Sequence, residues 1–188
     1  MDDRFNIYMT GVGGQGIGLL AEILARAADY AGLQVRGCDT HGLAQRGGMV
    51  TSHLRLGRSW SPLVPDGEAD LVIALERHEA VRAADCMLKS GGTMIWYDTS
   101  LQPSSVRMGE APAVTEDDVE RVAEAREIRA IRVHRPDLPD PRMQNVALVA
   151  SILTHELIPG IGTSQVRKAM KDLLTGAVLD SNLALLPA

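Results

Sequence analysis

Cysteine and aromatic residues are both scarce in this sequence. Only two cysteines occur in 188 residues, Cys38 and Cys86, and neither has a second cysteine near it. That spacing excludes a Cys-x-x-Cys iron–sulfur or zinc site carried by this chain alone. A disulfide between them is disfavoured in a chain of cytosolic character. Aromatics make up 3 % of the residues, so the core must be built from Val, Ile, Leu, Met and Ala. No apolar run approaches the ~20 residues needed to cross a bilayer. The start, Met1-Asp2-Asp3-Arg4, is acidic and lacks the basic opening of a signal peptide. A cytoplasmic protein without membrane contact is expected. Positive charge is in deficit too: the formal net charge is −5, and no Lys/Arg-rich run carries interleaved aromatics. Both features argue against nucleic acid as a partner.

What is present reads as alternating strands and helices. The length suits one domain spanning residues 1–188, and no repeat or linker interrupts it. Phe5 to Thr10 is an apolar strand, broken at once by Gly11-Val12-Gly13-Gly14-Gln15-Gly16. A helix follows from Ile17 to Ala31, with Leu20, Ile23, Leu24, Ala27 and Ala28 on one stripe and Gly32 closing it. Leu33 to Cys38 completes a β–α–β unit, whose two strands are expected to pair in parallel. Val50, Ser52, Leu54 and Leu56 alternate with Thr51, His53 and Arg55, the period of a half-buried strand with His53 and Arg55 facing outward. Leu71 to Leu75 is a continuous apolar run, expected for a central parallel strand. A helix from Glu76 to Leu88, a Ser90-Gly91-Gly92 stop and a strand from Thr93 to Tyr97 form a second β–α–β unit. Thr115 with Asp117 and Asp118 marks a helix start. Ile128–Val133 is a last strand, Met143–Leu157 a late helix, and Thr163-Ser164 the opening of an amphipathic one. The apolar tail, Val178 to Leu186, is expected to dock. The expected fold class is α/β, a Rossmann-like doubly wound and mostly parallel sheet.

The first glycine turn has two readings. G-x-G-x-x-G between strand and helix allows close backbone approach, and the helix start offers N–H groups to an anion. Asp39, 23 residues beyond Gly16, stands near where a ribose-binding acid would be. The pattern suits a dinucleotide site and suits equally the plainer alternative, tight packing of strand, turn and helix. A second loop, Asp39-Thr40-His41-Gly42-Leu43-Ala44-Gln45-Arg46-Gly47-Gly48, has no place in an ordinary dinucleotide domain. Its glycines allow unusual backbone angles, and Arg46 offers a planar fork to a phosphate or carboxylate. Glu76-Arg77-His78-Glu79 is explained by the dipole preference of a helix start. His78, His134 and His155 show no metal-ligand spacing, and no nucleophile is paired with a base.

The pair of loops, followed by Ser52-His53-Leu54-Arg55-Leu56-Gly57, resembles the successive signatures of the gamma domain of the 2-oxoacid:ferredoxin (acceptor) oxidoreductases of pyruvate/ketoisovalerate, 2-oxoglutarate and indolepyruvate type. Glu68-Ala69-Asp70, Glu76, Gly91-Gly92, Asn145 and Asn182 also fit, so the likeness spans nearly the whole chain. The Pro136-Asp137-Leu138-Pro139-Asp140-Pro141 segment departs from the family's pattern, which affects partner surface and substrate subtype.

The resemblance implies a subunit of an enzyme complex that oxidatively decarboxylates a 2-oxoacid to an acyl-CoA and reduces ferredoxin. Thiamine diphosphate with Mg and the Fe–S clusters would belong to partner subunits, a thiamine-binding alpha/beta pair and a ferredoxin-like chain. This chain would bind none of these firmly, and CoA would be a co-substrate. No catalytic residue and no metal ligand is assigned to it. Gly11, Gly13, Gly14, Gln15, Gly16 and Arg46 are candidates for a CoA phosphate or a partner contact, and His41, Gln45, Gly47 and Gly48 for the partner interface. The rival reading is a stand-alone NAD- or FAD-binding oxidoreductase.

Overall fold

The computed structural model describes residues 4–40, 48–101, 106 and 108–188. Six strands form one sheet: β1 (Phe5–Val12), β2 (Val35–Thr40), β3 (Met49–Leu56), β4 (Ala69–Ala74), β5 (Leu88–Tyr97) and β6 (Arg129–Val133). The helices are α1 (Ile17–Tyr30), α2 (Arg77–Cys86), α3 (Glu116–Ala125), α4 (Gln144–Thr154), α5 (Thr163–Leu173) and α6 (Gly176–Leu183). A 3-10 turn, Pro141–Met143, leads into α4.

Strict alternation along the central strands feeds two cores. Ile7, Met9, Leu71, Ile73 and Ile95 point to one face, where Leu20, Ile23 and Leu24 of α1, Val146 and Val149 of α4 and Val166 and Met170 of α5 cover them. Tyr8, Val72, Ala74, Met94 and Trp96 point to the other, under Ala80, Ala83 and Ala84 of α2 and Val119 of α3. Sheets buried on both faces demand continuous apolar strands, as β4 and β5 supply. Thr115 caps α3 with a reciprocal Asp118 bond, as its sequence suggests. The tail docks through Leu186 and through Leu179, Leu183 and Leu185, while Val178 stays exposed.

Three expectations fail. The strand order is β2-β3-β1-β4-β5-β6, so the first β–α–β unit does not pair its own strands. β3 runs antiparallel between β1 and β2. The reason is the length of the β2–β3 connection, residues 41–48, which is too short for a parallel crossover of a dozen or more residues. Second, α2 ends at Cys86 and β5 begins at Leu88, so Ser90, Gly91 and Gly92 lie inside a strand. The register jumps there, with Ala69 opposite Leu88 but Leu71 opposite Thr93, and Gly91 takes φ +70° to absorb the extra residues.

Third, His53 and Arg55 are buried, because the segment after β3 folds back over them. Arg55 donates from Nε to Asn6 Oδ1 (2.9 Å) and from a terminal nitrogen to the carbonyls of Leu63 (3.0 Å) and Ser61 (3.3 Å). His53 Nδ1 accepts the Val64 N–H at 3.1 Å, and burial pushes its pKa down, so the ring is neutral. Alternation located these side chains on the correct face of the strand; it carried no information about what covers that face. Replacing Arg55 with Met should cost about 2–3 kcal/mol, because Asn6 and two carbonyls lose their donor. Arg55→Lys should recover less than half, since one ammonium does not span three acceptors. Urea unfolding of the two variants measures both values.

Candidate functional site

Parallel strands bring β1, β2, β4, β5 and β6 to a common carboxyl edge, the place where open α/β sheets receive ligands. β1 leaves this edge through Val12 into the glycine turn. Gly13 N–H donates to Gly48 O at 2.9 Å, and Val12 faces Met49 in the β1–β3 ladder. The second loop leaves from Thr40 and returns at Gly48, so its returning end stands beside the first turn. Gly48 is half-buried. His41, Gln45, Arg46 and Gly47 lie outside the described residues.

Within the turn the residues divide sharply. Gly14 has φ +103° and open space where a side chain would be. Gly16 has φ +81°, caps α1, and would place a Cβ 2.6 Å from Asn145 Nδ2, which donates to the Gly16 carbonyl. Gln15 is turned inward and buried. Its Oε1 accepts from Val12 N at 2.7 Å and its Nε2 donates to Leu75 O at 2.8 Å, tying the turn to the end of β4. Gly11 makes room for it, because a Cβ there would lie 2.8 Å from Gln15 Oε1. α1 then begins with no side-chain cap and no acid in its first turn. Its first N–H groups favour an anion.

On the α2 side of the same edge lies a set of buried charges that sequence reasoning missed. Glu76 is fully buried at the cap of α2; Oε1 accepts from Glu79 N at 2.6 Å and Oε2 lies 3.0 Å from His78 Nδ1. His78 Nε2 accepts from Val114 N, so Nδ1 carries the proton and donates to Glu76. Glu79 accepts from Thr10 Oγ1 at 3.1 Å and pairs with Arg82 at 3.1 Å. Burial pushes its carboxyl above the usual range, with Arg82 and the Thr10 hydroxyl offsetting part of that. Asp98, at the end of β5, takes Arg77 Nε at 2.5 Å and Arg132 Nε at 2.8 Å. Burial alone would raise its pKa, but the hydrogen bonds from Arg77 and Arg132 outweigh it and hold the carboxyl below its ordinary value. The available signal was positional: Glu76 and Asp98 each stand just past an apolar strand at the same edge.

These groups are paired with one another and hold strands to helices. Among the described residues no cluster of three or more His, Cys, Asp or Glu side chains is able to hold a metal. Burial, followed by the neighbouring Asp39, pushes the Cys38 thiol up, which leaves it a poor nucleophile. Two cysteines in the whole chain do not meet the four thiolates of an iron–sulfur cluster. Among the described residues, no helix is long and apolar enough to cross a membrane.

The dinucleotide reading fails on geometry. With β3 inserted, Asp39 stands two strands from β1, about 10 Å away at ordinary strand spacing, and not on the neighbouring strand. Gln15 also occupies the crevice between the ends of β1 and β4.

Residues 6–188 match the family model described as pyruvate ferredoxin/flavodoxin oxidoreductase. The chain is 36 % identical over 187 residues to the indolepyruvate oxidoreductase subunit IorB of Archaeoglobus fulgidus, an alignment covering 96 % of this chain and 90 % of the relative. Among solved structures, the gamma subunit of a keto/oxoacid ferredoxin oxidoreductase from Geobacter sulfurreducens has a TM-score of 0.62 at 20 % identity, over 96 % of this chain and 93 % of that one. A 2-oxoglutarate:ferredoxin oxidoreductase from Magnetococcus marinus, solved with 2-oxoglutarate, coenzyme A and succinyl-CoA bound, has a TM-score of 0.69 at 18 % identity. That match takes in 98 % of this chain and 30 % of the longer one. At such identities the two structures bear on the fold alone. A stand-alone NAD- or FAD-binding oxidoreductase finds no support among these relatives.

The Asp98 cluster makes stability depend on pH in a defined sense. A carboxyl whose folded pKa lies below its unfolded value of about 3.9 stabilises fully above that pH. The contribution is lost as pH falls through the folded value. Asp98→Asn should therefore cost roughly 2 kcal/mol at neutral pH. The gap to the unaltered chain should close below about pH 4, read from urea unfolding at a series of pH values.

Proposed function

Because this chain belongs to the pyruvate ferredoxin/flavodoxin oxidoreductase family, we propose that it is the gamma-type subunit of a cytoplasmic complex that oxidatively decarboxylates a 2-oxoacid to an acyl-CoA and passes the electrons to ferredoxin. The observation that carries this reading is the meeting of both glycine segments at one rim, through Gly13 N–H and Gly48 O, in a chain that aligns along nearly its whole length with a known subunit of such an enzyme. Residues 1–188 act as one domain within that assembly. Indolepyruvate is the first substrate to try, since the Archaeoglobus fulgidus relative is named for it.

In this reading the chain does no redox chemistry itself. Thiamine diphosphate with its magnesium is held by alpha/beta partner subunits, and the iron–sulfur clusters by partners that include a ferredoxin-like chain. The cysteine count of this chain is consistent with that division. CoA supplies the thiol that receives the acyl group. Here the rim of Gly11, Gly13, Gly14 and Gly16, with the uncapped start of α1, suits one of its phosphates, while Gln15 acts from within as a brace. Arg46 adds a charge-assisted contact, and His41, Gln45, Gly47 and Gly48 face the thiamine-binding partner.

Affinity-tagged chain, expressed with its neighbouring reading frames, should bring down a thiamine-dependent subunit and yield 2-oxoacid-dependent, CoA-dependent ferredoxin reduction. A chain that purifies alone and shows saturable NADH fluorescence would sink the reading. In the assembled complex, Arg46→Ala should weaken CoA about 10-fold, the size of one charge-assisted contact. An unchanged CoA affinity removes Arg46 from that role.

A further inference from the structure

Glu79 sits where three parts of the carboxyl rim meet, and its two oxygens face different neighbours. Oε2 accepts from Thr10 Oγ1 at 3.1 Å, near the end of β1. Oε1 lies 3.1 Å from Nη1 of Arg82, one turn further along α2. That same nitrogen is 3.1 Å from the sulfur of Met49, the first residue of β3 and the one that follows the second glycine segment. Met49 stands opposite Val12 in the ladder, and its neighbour Gly48 receives the Gly13 N–H. A line of contacts therefore runs from one carboxyl to the point where both glycine segments join.

The two ends of this line differ in character. The Glu79 side chain is 6 % exposed and the Arg82 side chain 53 %. Met49 is exposed as well, and a thioether sulfur is a weak acceptor, so the sulfur does not hold the guanidinium in place. The buried carboxylate does, through a charge-assisted bond. Among the described residues, the titratable groups acting on Glu79 are Glu76, His78 and Arg82 of its own helix and Tyr8 of β1. Glu76 is occupied by Glu79 N and His78 Nδ1, and the other ring nitrogen of His78 by Val114 N. Burial pushes the Tyr8 phenol up, so it stays neutral. Arg82 is the cation that meets the Glu79 carboxylate directly.

We propose that Glu79 is the positioning residue for the re-entry of the second glycine segment: its carboxylate holds Arg82 against Met49, and a proton on it releases both. Loss of the negative charge removes the charge-assisted bond, and half-exposed Arg82 then finds water an equal partner. Burial has already moved this carboxyl above the ordinary range, so release falls at milder acidity than an exposed glutamate would give. The effect on stability is opposite in sense to that of Asp98. With the folded value above the unfolded one, ionisation of Glu79 costs stability, and the cost is relieved as pH falls through the folded value. The proposal stands apart from the subunit assignment, since every group in it belongs to this chain.

The test is an NMR titration of the full chain, isotope-labelled at its Glu carboxyls, Met methyls and backbone amides, from about pH 8 to about pH 4. The Glu79 carboxyl should titrate with a midpoint above about 4.3, the ordinary glutamate value. The Met49 methyl and the Gly13 amide should follow with the same midpoint. Glu79→Gln should remove that response from both. Arg82→Gln, at an exposed position, should uncouple Met49 while the Glu79 midpoint rises further, because a neighbouring cation has gone. This second variant keeps the test decisive where Glu79→Gln fails to fold. A Met49 methyl that does not follow Glu79, one that still responds in either variant, or a Glu79 midpoint that stays or falls without Arg82 overturns the proposal.

Discussion

One buried carboxamide organises the functional end of this protein. Gln15 accepts a hydrogen bond from the N–H of Val12 and donates one to the carbonyl of Leu75, so the exit of β1 and the exit of β4 are held by the same side chain. Both backbone groups lie where the β1–β4 pairing has stopped, and both would otherwise go unsatisfied beneath the turn. The neighbouring glycines follow from this arrangement: Gly11 is small because the Gln15 oxygen is there, and Gly16 because Asn145 is there. What resembles a nucleotide fingerprint is here a packed joint, in which the N–H groups of Val12, Gly13 and Gln15 are already bonded within the protein.

Much of the fold was legible because strong periodicity has few interpretations. The β1–turn–α1 unit, the apolar run of β4, the Thr115 cap and the opening of α5 at Thr163 all stand where local chemistry puts them. Strand order was not legible. Nothing in Met49–Leu56 announces that it will insert antiparallel between β1 and β2, because direction is decided by the length of the connection and by partners distant in sequence. The burial of Arg55 was hidden for a related reason. Its acceptors, Asn6, Ser61 and Leu63, come together only after the segment beyond β3 folds back.

The candidate site shows the same division. Its glycines were readable from backbone requirements alone, whereas the inward turn of Gln15 depends on β4 arriving beside β1. Glu76 and Glu79 looked like ordinary acids at a helix start, and nothing in the sequence singled out Asp98. In the folded chain Glu79 leans on Thr10 and Arg82, and Asp98 on Arg77 and Arg132. Each joins a strand end to a neighbouring element, which makes the carboxyl rim stiff on the α2 side. Residues that brace a rim and residues that touch a ligand there share the same types, and composition does not separate them.

The antiparallel placement of β3 has a consequence for the second loop. A crossover between parallel neighbours must thread a helix over the sheet, so its length and packing are fixed by the core. A hairpin link such as that from Thr40 to Gly48 carries no such burden. Strand order requires only that it be short, so its residues are left to answer to whatever meets the rim beside the first glycine turn.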